Sequence, residues 1–367
     1  MRGMTWDHPR GYDPLAAASR VWAEMGGETI EWDRRSLQDF ESYPVEELAR
    51  RYDLIVIDHP HVGQVADAGC LAALETLCDV HALSGIAAGS VGGSFESYNW
   101  SGHQWALPID AAAQVQAWVP GRIDAPLRDW DSVIALARQG RLTIPLRPPH
   151  SLMSLFTLSG LAGVTLPVDG DELFPEAARP AYERLAALAA EVDPSAYEQD
   201  PIAVLEAMAR PDSKLAVSPL IYGYVSYSLG GFRPRRIGFA DLPAGDPRGS
   251  ALGGTGIAVS AFGESPERAA AFAAWVASGA TQRMLYALSG GQPAHADAWE
   301  DRGVNALVSD FYVATRKTLD RAWLRPRHDG YMAFQHAASE RLNQALRSGE
   351  TAAMALAALN ALYRNSK

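Results

Sequence analysis

The chain has 367 residues, with 32 Lys plus Arg against 43 Asp plus Glu, a formal net charge of −11 and 48% hydrophobic residues. That composition is globular rather than disordered, and the length fits two domains or one large one. An acidic chain without a basic run is a poor polyanion binder, and no run of about 20 apolar residues is present to cross a bilayer, so the expectation is no nucleic-acid partner and no direct membrane insertion.

Residues 2–7 are compatible with a first strand. Asp13-Pro14 then predicts a helix start, with Asp13 as cap and Pro14 at the first helical position; Leu15, Val21, Trp22 and Met25 form its apolar face and Gly26-Gly27 stops it. Thr29-Ile30-Glu31-Trp32 reads as a second strand. Tyr52 to Ile57 is the clearest strand, because continuous branched apolar residues imply burial on both faces, as in a parallel sheet covered by helices. Val80 to Ile86 and Tyr98 to Leu107 read as further extended chain.

The middle is richer in helix. Asp129 caps a helix through Val133, Leu136 and Ala137, Leu152 to Leu158 is apolar and aromatic, residues 176–191 form a surface-type helix, and Asp200-Pro201 opens another. Lys214 to Pro219 reads as a strand leading into Ile221-Tyr222-Gly223-Tyr224, an aromatic, glycine-containing turn. Residues 243–254 read as loop, Gly256 to Ser260 as a short strand, and Ser265-Pro266 as the start of a helix carrying Ala269, Phe272, Trp275 and Val276. The last part, about 336–362, is amphipathic and alanine-rich. Strands alternating with helices predict an α/β architecture.

Cys70 and Cys78 are too few for a disulfide scaffold or a four-cysteine zinc site, and two buried thiols are the simpler reading than a bridge. Met1-Arg2-Gly3-Met4 does not read as a secretory leader, so the expected address is cytoplasmic if Met1 is the native start and periplasmic if a leader was removed. His-Glu-x-x-His, Gly-x-Ser-x-Gly and the phosphate-binding Gly-x-x-x-x-Gly-Lys-Ser/Thr do not occur. Gly254-Thr255-Gly256 only superficially echoes a dinucleotide turn, because it leads into extended sequence rather than a helix.

Three constellations remain. Asp7-His8-Pro9 and Asp58-His59-Pro60 are the same triplet, each just past an expected strand, with His61 following the second. Strand ends on one side of a sheet face one crevice, so the triplets read as ligand contacts, as helix caps or as metal ligands. Trp100, Trp105, Trp118 and Trp130, and later Tyr222, Tyr224, Tyr227 and Phe232, supply rings that either fill a core or stack on a ligand. Arg147, Arg233, Arg235 and Arg236 are candidate anion contacts or surface charges.

The order of several segments resembles the extracellular solute-binding proteins of ABC transporters, the family of sugar, polyol and some polyamine and iron binders. The segments are Tyr52 to Ile57 with Val62 to Leu71, Gly102-His103-Gln104-Trp105-Ala106-Leu107-Pro108-Ile109-Asp110, Asp129-Trp130-Asp131-Ser132-Val133, Gly253 to Val259, Ser265-Pro266-Glu267-Arg268-Ala269-Ala270, and Gly291-Gln292-Pro293. Trp105 and Ala106 depart from the usual Tyr and Gly of that passage.

The resemblance implies a two-lobed type II periplasmic-binding-protein fold, each lobe a mixed sheet flanked by helices. The first lobe would take 1–109 and 257–302, the second 110–256 and 303–367, with hinges near 109–112 and 255–258. It implies capture of a small polar organic ligand in the interlobe cleft by hinge closure, for an ABC importer whose permease is the partner, with no cofactor, no metal, no catalytic residue and a monomeric state. The expected contacts are Trp6, Asp7, His8, Asp58, His59, Trp105, Asp110, Tyr222 and Tyr224. The alternatives are a cytoplasmic sensor or sequestering protein on the same fold, and an iron-binding protein or a His/Asp-based enzyme.

Overall fold

The computed structural model describes residues 1–36 and 44–367. Among them one seven-stranded sheet organises the chain, in the order β2 (Glu31–Arg35), β1 (Arg2–Trp6), β3 (Leu54–Ile57), β9 (Leu252–Val259), β6 (Leu107–Trp118) and β7 (Val217–Tyr222), with β8 (Gly238–Ala240) on the free length of β6, while β4 (Asn99–Trp100) and β5 (His103–Gln104) form a separate two-stranded ladder. Strands β1 (Arg2–Trp6), β2 (Glu31–Arg35) and β3 (Leu54–Ile57) run parallel. Strand β3 pairs antiparallel on its other side with β9 (Leu252–Val259). The sheet is therefore mixed, as the family resemblance implied, and not parallel throughout. Burial on both faces holds nonetheless, since Leu54, Ile55, Val56 and Ile57 are all buried.

Strand β6 (Leu107–Trp118) and β9 are the crossovers. They pair antiparallel, with a register shift between Pro108 and Asp110 that leaves Ile109 as a bulge. The apolar packing changes partner along them. Leu107, Ile109 and Ile257 to Val259 belong to one core with β1, β3 and α9 (Pro266–Ala277). Ala111, Ala113, Val115 and Leu252 belong to another, shared with α8 (Pro201–Ala209) and α10 (Phe311–Asp320). A third core joins α5 (Trp130–Arg138), α6 (His150–Leu161), α7 (Arg179–Glu191), α11 (Tyr331–Ser348) and α12 (Ala352–Arg364). Strands β7 (Val217–Tyr222) and β8 (Gly238–Ala240) flank the far half of β6.

Several local expectations shift. The first helix, α1 (Pro9–Glu24), starts earlier than Asp13-Pro14. The His8 side chain accepts from the Arg10 amide and Pro9 occupies the first turn, so Pro14 lies inside the helix, within its first two turns. Val80 to Ile86, read as extended, lies in a helix, α4 (Val80–Gly89), capped by Asp79, which accepts from the His81 and Ala82 amides. A true cap at its N-terminus outweighs the branched residues Val80 and Ile86. Leu252 to Gly254 belong to strand rather than loop. The caps expected at Asp129 and Asp200 are present, each accepting from an amide three residues on. Cys70 and Cys78 are both free thiols, and burial pushes each up to about 11.

Candidate functional site

A cleft opens where the ends of β1 and β3, the middle of the two crossover strands, the end of β7 and the start of α6 meet. Trp6, Arg10 and Asp58 line one side, Asp110, Ala112 and Gly253 to Thr255 the floor, and Pro149, His150, Met153, Pro201, Tyr222, Tyr224 and Arg325 the other. The enclosed space, its solvent-open mouth included, is about 660 Å³. The floor is built of small residues for a reason: a Cβ on Gly253 would approach the Tyr222 ring to 2.7 Å, so Gly there lets Tyr222 lie across the crossover.

Two buried ion pairs dominate the electrostatics. Arg10, on the first turn of α1, donates from Nε to an Asp110 carboxylate oxygen at 2.8 Å and from Nη1 to the Gly223 carbonyl at 2.8 Å, while Tyr224 lies 4.5 Å from its guanidinium carbon. Asp110 follows the bulge at Ile109, and Gly223 follows β7. One side chain of α1 thus grips both the crossover strand β6 and the turn that follows β7. Asp58 ends β3. Its carboxylate accepts from Arg325 Nη2 at 2.7 and 2.8 Å and from the His59 amide at 2.9 Å. Arg325 also donates to Gln335 Oε1, on α11, at 3.0 Å. Burial alone would raise the Asp58 pKa; the Arg325 guanidinium and the His59 contacts outweigh it and hold the carboxyl well below the usual carboxylate range.

Burial lowers His150 to about 4, with Arg147 and Arg325 adding to the effect and Asp200 opposing it. His150 Nδ1, Thr255 Oγ1 and Arg325 Nε are buried and find no hydrogen-bond partner among the described residues, and all three residues line the cleft. Polar atoms so placed are costly unless something bonds them.

Of the nine residues expected from the sequence to touch a ligand, Trp6, Asp58, Asp110, Tyr222 and Tyr224 line this cleft. The other four lie elsewhere. Asp7 is exposed, 3.3 Å from Arg34. His8 is a buried helix cap whose ring meets Tyr224 edge-on at 5.1 Å, and burial lowers its pKa to about 4. His59 is buried beside Tyr98, its pKa also lowered to about 4 by burial. Trp105 packs in the first-lobe core and donates to the Trp100 carbonyl. The identical triplets therefore do different work: His8 caps the first helix, whereas Asp58 caps the turn that follows β3 and faces the cleft.

The candidate arginines also lie outside the cleft lining. Arg233 pairs with Glu206 at 2.7 Å, Arg236 donates to Ser309, and Arg235 and Arg236 line a separate groove with Trp118 and Phe239. Arg10, His150, Thr255, Arg325 and Gln335 went unflagged in the sequence. Arg10 carried a signal, standing one residue past the first Asp-His-Pro triplet; Arg325 carried none. Among the described residues no three His, Cys, Asp or Glu side chains gather as a metal-binding group, and no helix is long and apolar enough to cross a membrane.

A family profile described as bacterial extracellular solute-binding protein matches residues 47–308. No curated sequence matches the chain. Among solved structures, the maltose-bound MalE3 of T. maritima is 14% identical, with 100% of this chain and 99% of that chain covered and a TM-score of 0.84. An ABC-transporter solute-binding protein of Thermotoga lettingae bound with α-D-tagatose is 16% identical, covering 100% and 98%, at a TM-score of 0.83. One from Agrobacterium radiobacter K84 in complex with ribitol is 17% identical, covering 100% and 98%, at 0.78. Likeness of this extent establishes the fold, a two-lobed type II binding-protein architecture of mixed sheets flanked by helices.

Proposed function

Because the chain belongs to the bacterial extracellular solute-binding proteins, we propose that it captures a small neutral polyhydroxylated molecule, a short sugar or polyol, between its lobes and delivers it to an ABC importer. The observation that carries this reading is the charge balance of the cleft. Two guanidiniums, Arg10 and Arg325, are matched by two carboxylates, Asp110 and Asp58, and His150 is neutral. A ligand bearing net charge would find no unmatched partner and would be desolvated at a cost. A hydroxyl both donates and accepts, so it can satisfy the imidazole Nδ1 of His150, the hydroxyl of Thr255 and the Nε–H of Arg325. Trp6, Tyr222 and Tyr224 offer ring faces suited to the apolar side of a sugar. Maltose, tagatose and ribitol in the structurally similar proteins are of this chemical class.

The lobes in this reading are 1–109 with 257 to about 286, and 110–256 with about 287–367. Ala287, Ala294, Ala298 and Trp299, within the 257–302 piece expected in the first lobe, share their apolar packing with the second. The bulge at Ile109, opposite Gly256 and Thr255, is the hinge. A ligand touching both lobes favours the closed form because only that form makes every contact, and the permease reads the closed form. The protein acts as a monomer outside the cytoplasmic membrane, by binding and without turnover.

Native mass spectrometry of the purified protein before and after denaturation, with metal analysis and calorimetry against maltose, ribitol and D-tagatose, tests this. One equivalent of a neutral polyol is expected. A retained metal, tight binding of a carboxylate or amine in place of the polyols, or product formation overturns it.

A further inference from the structure

The segment between α10 and α11 ties the lobes together both inside the cleft and outside it. Its two ends are fixed to the second lobe. Trp323 donates to the Ser250 carbonyl at 2.7 Å and accepts from Leu252 at 2.9 Å, and His328 Nε2 meets Ser366 Oγ at 2.9 Å. Between those anchors the chain reads Leu324-Arg325-Pro326-Arg327, and both arginines reach the first lobe. Arg325 does so inside the cleft, on Asp58. Arg327 does so outside it: Nη1 donates to the carbonyls of Glu96, Ser97 and Asn99 at 2.8, 3.0 and 2.9 Å, and the guanidinium carbon stands 5.3 Å from the Trp100 ring centroid. Those carbonyls end the short turn Glu96–Tyr98, and Tyr98 and Trp100 pack in the first-lobe core. The backbone is equally close. A Cβ on Gly63 of α3 (Val62–Ala68) would collide with the Arg327 carbonyl.

We propose that Arg327 is a positioning residue for ligand capture, a strap that holds the second lobe against the first from outside the cleft and sets how closed the cleft stands before a ligand enters. Opening about Ile109 separates the segment 323–328 from the turn 96–99 and breaks all three Nη1 hydrogen bonds together. Arg325 travels on the same segment, so the strap also delivers that guanidinium to Asp58. The charge of Arg327 is met by carbonyl dipoles at the end of a turn and by an indole face, which accept a cation and do not dictate its shape. All three acceptors converge on one nitrogen. A lysine ammonium, with three donors on one atom, therefore satisfies them as well as a guanidinium does.

This inference rests on the reading that ligand is captured between the lobes, but its test needs no ligand. Small-angle scattering of the ligand-free protein is compared for wild type, Arg327→Met and Arg327→Lys, with thermal unfolding run alongside. Methionine keeps most of the stem and removes the donors. The expected result is a larger radius of gyration for Arg327→Met at a little-changed thermal midpoint, with Arg327→Lys returning towards wild type. An unchanged scattering profile for Arg327→Met overturns the proposal, as does a lysine variant as open as the methionine one. Should Arg327→Met fail to fold, spin labels on cysteines introduced by Met25→Cys and Met354→Cys, at exposed positions one on each lobe, in a chain also carrying Cys70→Ser and Cys78→Ser, read the protein with Arg327 in place. A single short distance in the ligand-free chain supports the strap, and a dominant longer population overturns it. Binding of a charged solute would refute the proposed ligand class and leave this result untouched.

Discussion

Asp58 ends β3 and Arg325 stands between α10 and α11, and both oxygens of the one carboxylate accept from a single guanidinium nitrogen of the other. Reading Asp58 at a strand end as a ligand contact alone predicts that its loss weakens binding and spares stability. The pairing changes that expectation. Arg325 is 4% exposed, so Asp58→Ala leaves a buried cation without its counter-charge. Breaking such a pair from one side costs about 3–5 kcal/mol. Asp58→Ala should therefore lower the thermal midpoint as well as remove polyol binding, and Asp58→Asn, which keeps a hydrogen-bond acceptor, should lower it less. Calorimetric unfolding of both variants at pH 7 checks this; a wild-type midpoint for Asp58→Ala rules it out.

Arg10 and Asp110 make the second pair, 4% and 0% exposed at the side chain. Arg10→Met and Asp110→Leu each strand one buried charge and should each destabilise by about 3–5 kcal/mol. The double variant removes both charges together. Its loss should be well below the sum of the singles, because the two mutations share one interaction. Chemical denaturation of the four proteins in the cycle reads the coupling directly, and additive losses would show that the pair does not act as a unit. The Gly223 carbonyl sets a limit on recovery, since it loses its Arg10 donor in the double variant.

The scaffold was legible where local chemistry decides it. Leu54 to Ile57 form the buried strand that their branched side chains imply, and Asp129 and Asp200 cap the helices they precede. The ordered segments from Tyr52 to Pro293 were enough to indicate the two-lobed fold. The site was legible only in part, because its charges are matched across large sequence distances. Asp58 could be picked out as a strand-end carboxylate, but its partner lies 267 residues later with no local mark. Arg10 was closer to view, since a helix starting at Pro9 puts it in the first turn beside the crevice. Placing the start at Asp13-Pro14 hid it. Trp105 shows the opposite error: its ring fills the first-lobe core, and an aromatic residue in sequence does not reveal which of the two it does.

Stability should fall on mild acidification. His8, His59 and His150 each have a folded pKa near 4, against 6.5 for the ordinary imidazole, with burial the largest cause in every case. Between those values the unfolded chain binds protons that the folded chain does not, so stability rises with pH across that window. The contribution of these groups is complete above about pH 6.5 and is lost as pH falls towards 4. Asp58, held below the usual carboxylate range, adds a loss at still lower pH. Thermal midpoints at pH 7.5, 6, 5 and 4.5 should decline steadily, most steeply below 6. His150→Phe should flatten part of that decline and, by removing one unpartnered cleft atom, weaken polyol binding about tenfold. A midpoint independent of pH over this range would mean that the three imidazoles are not buried as neutral groups.

Gly254 shows how little tolerance the hinge region has. It pairs with Ala111 in the crossover ladder, one step from the Asp110–Thr255 pair that follows the bulge. Its φ is +104°, a conformation that L side chains rarely adopt, and a Cβ there would collide with the Asp110 carbonyl. Strain and collision act together, and neither can be relieved by a rotamer change because the obstacle is backbone. Gly254→Ala should therefore destabilise by more than the roughly 1 kcal/mol expected of Gly-to-Ala changes at unstrained positions, and with the opposite sign. Because the displaced atom is the carbonyl of Asp110, the distortion is also transmitted to Arg10 and the cleft floor. The expected phenotype is a lowered thermal midpoint together with weakened polyol affinity. Gly245→Ala, in a loop where a Cβ meets nothing within 4 Å, serves as the control and should leave both unchanged. Equal behaviour of the two variants would mean that the crossover strands do not approach as closely as the pairing of β6 and β9 requires.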